Sequence, residues 1–128
     1  MKYHISKTVN CPFSEALDKA ALELKKEGFG VLTEIDVRAT MKKKLDVDFR
    51  NYKILGACNP NFAHRALAAE DKVGVLLPCN VVVQEHEDGR VEVSALAPAG
   101  LMKAVGNPAL DELAEQVEAA LKRVIESI

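Results

Sequence analysis

Two cysteines carry the most specific chemistry that the residue types offer. Cys58 and Cys79 are each followed by an asparagine, Asn59 and Asn80, and each ends a short apolar stretch, Ile54-Leu55-Gly56-Ala57 or Val73-Gly74-Val75-Leu76-Leu77. A thiol and an amide at a strand exit supply a soft nucleophile beside a group that both donates and accepts hydrogen bonds. Asn59 followed by Pro60 is an N-cap followed by a residue suited to the first helical position, which places Cys58 just outside a helix N-terminus, where the helix dipole favours thiolate. If the strands ending at Ala57 and Leu77 run parallel through a strand-helix-strand crossover over residues 62–69, both thiols leave the same end of the sheet and share one pocket.

Three kinds of chemistry use these atoms. Cys58 and Cys79 could cycle through a disulfide or attack an electrophile, although they are far apart in sequence and form no compact Cys-x-x-Cys pair. With His64, about a turn and a half beyond the cap, they could bind a soft or borderline metal ion, although the spacing matches no zinc finger. Alternatively Cys58, Asn59, Cys79 and Asn80 could shelter a small ligand. A separate anion site could form where Arg38 or Lys44 meets a carboxylate or phosphate with Asp36 alongside, but Lys42-Lys43-Lys44 reads more readily as a solvated face. Cys11, next to Pro12, reads as a small buried hydrophobe. The glycines Gly56 and Gly74 suit close backbone approach in a packed sheet.

The elements that must hold these residues follow from periodicity. A broken alternation through Tyr3, Ile5 and Val9 predicts a first strand. Phe13, Ala16, Leu17, Ala20, Ala21 and Leu24 form a helical stripe that Gly28 ends. Residues 29–37 alternate as a strand and 38–45 form a short helix. The continuous run 73–77 predicts a buried strand that continues through Val83, and Asp88-Gly89 closes a hairpin onto Val91, Val93 and Ala95. Residues 97–100 break that strand before a short helix over 101–105. Asn107-Pro108 repeats the cap signal ahead of a last helix bearing Leu110, Leu113, Val117, Leu121 and Val124 on one stripe. No repeat or linker interrupts the 128 residues, so residues 1–128 read as a single two-layer α+β domain, its sheet mostly antiparallel with one strand-helix-strand crossover and packed helices.

Composition narrows the function classes. A net charge of -2 and 5% aromatic residues give no basis for gripping nucleic acid. No apolar run suggests a membrane span, and the N-terminal residues lack a signal-peptide core. With an odd number of cysteines, 3, this points to a cytoplasmic protein with reduced thiols. No Gly-x-Gly-x-x-Gly follows a strand, which disfavours a nucleotide-dependent oxidoreductase.

Residues 28–40, Lys43-Lys44-Leu45, Tyr52 through Pro60 and Leu76-Leu77-Pro78-Cys79-Asn80-Val81 together resemble the domain of unknown function 302 family, in order over nearly the whole chain. The resemblance implies a small α+β domain of bacteria and archaea, often a homodimer, with no agreed activity and no catalytic residues to carry over. The two thiols resemble one branch of that family. Residues and resemblance together favour a homodimeric binding or interaction module with a small-ligand pocket near Cys58-Asn59 and Cys79-Asn80, over an enzyme. Thiol redox or soft-metal binding is the alternative, and no cofactor is specified.

Overall fold

In the computed structural model, which describes residues 2–128, the chain runs β1 (His4–Val9), α1 (Phe13–Lys26), β2 (Gly30–Asp36), α2 (Val37–Leu45), β3 (Tyr52–Cys58), α3 (Pro60–Ala69), β4 (Cys79–Glu85), β5 (Val91–Leu96), α4 (Pro98–Lys103) and α5 (Pro108–Ser127). The predicted signals act where expected. Asn59 accepts from the backbone N–H groups of Asn61 and Phe62, and Asn107 from that of Ala109, so both helices open on a cap followed by proline. Gly28, at φ 85°, ends α1 in a conformation that costs a side-chain-bearing residue. Gly89, at φ 89°, closes the β4–β5 hairpin.

The sheet order is β1-β5-β4-β3-β2, and every neighbouring pair is antiparallel. This corrects the crossover expected through α3. Residues 73–77 form no strand: Val73–Leu76 is one 3-10 turn, and β4 begins only at Cys79, after a cis Leu77–Pro78 peptide bond. The run is apolar because Val73 and Leu76 pack on Met102, Leu110 and Ala114, while Val75 is 85% exposed. Burial of Val73 and partial burial of Leu76, three residues on, is the 3-10 period and not strand alternation. The crossover in this fold is β1-α1-β2, whose strands run in the same direction at opposite edges of the sheet.

Strand alternation gives the sheet two unlike faces. Leu55, Ala57, Val81, Val83, Val93 and Ala95 point into a core closed by α1 and α5. Ala16, Ala20 and Leu24 of α1, with Val117, Leu121 and Val124 of α5, complete it. A fully buried leucine such as Leu24 or Leu121 contributes ~1.5–3 kcal/mol by leaving water. The opposite face carries Tyr52, Asn80, Gln84 and Ser94 around a shallow polar cleft. Every residue of edge strand β2 is exposed. The architecture is α+β, and among the described residues no helix is long and apolar enough to cross a membrane.

Candidate functional site

A cavity of about 350 Å³ opens between the β3/β4 end of the sheet and the helices α3, α4 and α5. Its floor is Ala57, Cys58 and Cys79, its α3 wall is Phe62, Ala63, Ala66 and Leu67, and its roof is Met102 with Leu113 and Val117. α3 presents two overlapping i, i+4 pairs, Phe62/Ala66 and Ala63/Leu67, so one stripe of that helix forms the wall. The alanines are what leave room. Leu32 and Leu67, 68% and 43% exposed, lie on the lining where solvent reaches it. Such a space admits an apolar group, whereas a sugar or nucleotide would lose hydrogen bonds to water without replacement.

The thiols come together for a different reason from the one expected. β3 delivers Cys58 at its last residue and β4 starts at Cys79, and the antiparallel register pairs Ala57 with Cys79. An antiparallel pair brings the end of one strand beside the start of the next. Cys58 is half-buried and Cys79 buried. Burial, and secondarily the neighbouring Cys58, push the Cys79 thiol up to about 11, so it stays protonated at neutral pH and is a poor nucleophile or metal ligand. Cys11 packs, partly buried, against the main core.

Asn59 also lines the cavity, but its side chain is spent on structure. Its Oδ1 accepts the two capping bonds, and its Nδ2 donates to the Glu27 carbonyl at 3.3 Å, tying α3 to the end of α1. Asn80 does not join the site: one residue on from Cys79 in a strand, it points to the opposite face, where it is exposed. Asp36 and Lys44 are likewise elsewhere. Asp36 sits at the far end of β2 from Gly30, which pairs with Cys58, about 20 Å along the strand. There it caps α2 through the Ala39 N–H at 2.9 Å, and Lys44 is exposed on that helix. His64 is exposed and off the α3 stripe that lines the cavity. Among the described residues no three His, Cys, Asp or Glu side chains gather as a metal site, so the set Cys58, Cys79 and His64 is not assembled.

Comparison with known proteins bears on the whole chain at once. The profile described as domain of unknown function DUF302 matches residues 5–128. The chain belongs to the DUF302 family. The crystal structure of an uncharacterised conserved DUF302 protein from Bacillus stearothermophilus is similar to it, with 31% identity, 99% of this chain and 98% of that one covered, and a TM-score of 0.92. No curated protein matches the chain.

Sequence reasoning about this DUF302 domain missed the walls and roof. Phe62, Ala66, Met102 and Leu113 were legible as apolar positions, but a stripe that packs against a neighbour and one that lines a void have the same spacing. Small residues at two of the four stripe positions, Ala63 and Ala66, were the available signal. Gly56 fits its expected role: a Cβ there would collide with Thr33 Oγ1 and lie 2.9 Å from Pro78 Cγ. Gly74 does not, since it lies in the 3-10 turn and a Cβ would meet only Leu67 Cδ2 at 3.9 Å.

Proposed function

We propose that this DUF302 protein is a homodimeric binding module that shelters a small apolar molecule in the cavity beside Cys58 and Cys79. The observation that carries this reading is the cavity itself, about 350 Å³ and walled by Phe62, Ala66, Leu67, Met102, Leu113 and Val117. Its volume lies at the lower end of the range for small-molecule sites, and apolar burial supplies the binding energy. Binding of the neutral dye Nile red, followed by fluorescence, tests it. Wild type should bind and Ala66→Phe, which fills the space, should not. Ala63→Leu is a second blocking variant should the first prove overpacked. Equal dye binding by all three proteins would refute the reading.

Association of two copies is supported by β2, an edge strand with unpaired backbone groups and exposed Val31, Leu32 and Ile35. Light scattering at micromolar concentration should give twice the chain mass, and Ile35→Lys should give the monomer. A monomer mass for wild type would remove the dimer from the proposal. Three unpaired cysteines fit a reducing compartment such as the cytoplasm.

A further inference from the structure

The groove between α3 and α5 changes character along its length. α5 turns Leu113, Ala114 and Val117 to the apolar cavity, then Gln116, Ala120 and Arg123 to an adjoining polar cleft whose other side holds Glu27, Asn61 and Arg65. Asn59 and Phe62 line both spaces, so the two are consecutive compartments with a common wall. The charged groups around the cleft are Glu27, Arg65 and Arg123. Arg123 is committed to Glu27, donating from Nε and Nη2 to Oε1 at 3.1 and 2.9 Å. Arg65 has no ion-pair partner among the described residues. One positive charge is therefore left unbalanced within one helical turn of the apolar wall.

Resting on the ligand-binding reading above, we propose that the ligand is a single-chain amphiphile with a carboxylate head, its aliphatic tail in the apolar cavity and its head paired with Arg65. A planar guanidinium matches a carboxylate through two parallel N–H···O bonds. The tail accounts for walls that would reject a polar ligand, and the head for a cation that a wholly apolar ligand would leave unused. Because Arg65 is exposed, the charge contributes modestly and its effect is screened by salt.

Titration calorimetry of the full-length protein with octanoate and with 1-octanol separates head from tail. Wild type should bind octanoate about fivefold more tightly than octanol at low ionic strength, the size of a favourable exposed ion pair. Arg65→Gln and high salt should each abolish that preference while octanol binding stays as in wild type, and Arg65→Lys should keep part of it. Equal binding of the two probes by wild type, or a preference that survives Arg65→Gln, would overturn the head-group assignment and leave the apolar-cavity reading standing. Failure of both probes to bind would overturn both.

Discussion

Cys79 and Gly56 show how single residues constrain the site. A thiol held near 11 by burial keeps its proton at pH values where an unfolded-chain cysteine, with a pKa of about 8.5, has lost it. Between those values the folded state binds more protons than the unfolded state, so stability falls as pH rises from about 8.5 towards 11 and the full contribution is present only below that window. Replacing Cys79 with Ala should flatten that slope, by about 3 kcal/mol across the window, in urea titrations at a series of pH values. An unchanged slope would place the titration elsewhere. Gly56 works through space: with Thr33 Oγ1 and Pro78 Cγ where a Cβ would go, Gly56→Ala should cost ~1–3 kcal/mol. The same exchange combined with Thr33→Ala should recover part of the loss, since the two residues share one contact. Additive losses in denaturant would deny that contact.

Among the elements, those with a punctuation residue were legible in the sequence. Asn59-Pro60 and Asn107-Pro108 open α3 and α5, Gly28 closes α1, and Asp88-Gly89 turns β4 into β5. What failed was the apolar run at 73–77, where Gly74 and Pro78 mark a break without saying whether a strand or a turn precedes it, and burial under α4 and pairing in a sheet both select valine and leucine. Proline then misled in one place. Pro98 ends β5 but also opens α4 at its first position, where a missing N–H costs nothing, so the helix begins before the expected residue 101. The basic run on α2 behaves as a solvated face: among the described residues Lys42 reaches only the exposed Asp46 and Asp48, at 3.0 and 3.7 Å. Changing Lys42, Lys43 and Lys44 together to Gln should leave the melting temperature nearly unchanged, since exposed pairs contribute ~0–1 kcal/mol. A large drop would reveal a buried or cooperative role for that helix.

At the scale of the molecule, the candidate site exists because the two edges and two faces of one sheet are treated differently. α1 and α5 close a dense core over β4 and β5, while α3, with alanines where a leucine would fill space, leaves a void at the end where β3 stops and β4 starts. The proximity of Cys58 and Cys79 at that end was expected from a parallel crossover that the fold does not contain. The antiparallel geometry that produces it, and the turning of Asn80 to the other face, depended on a strand start set by Pro78, which has no N–H to give a ladder. On the proposed function, an apolar molecule fills this void against Cys58. The rate of Cys58 alkylation by iodoacetamide, read by peptide mass spectrometry with and without saturating 1-octanol and with Cys11 as the internal reference, reports that occupancy. Occupancy of the cavity predicts that octanol slows Cys58 several-fold and leaves Cys11 unchanged; a Cys58 rate indifferent to octanol would show that no apolar molecule sits against it.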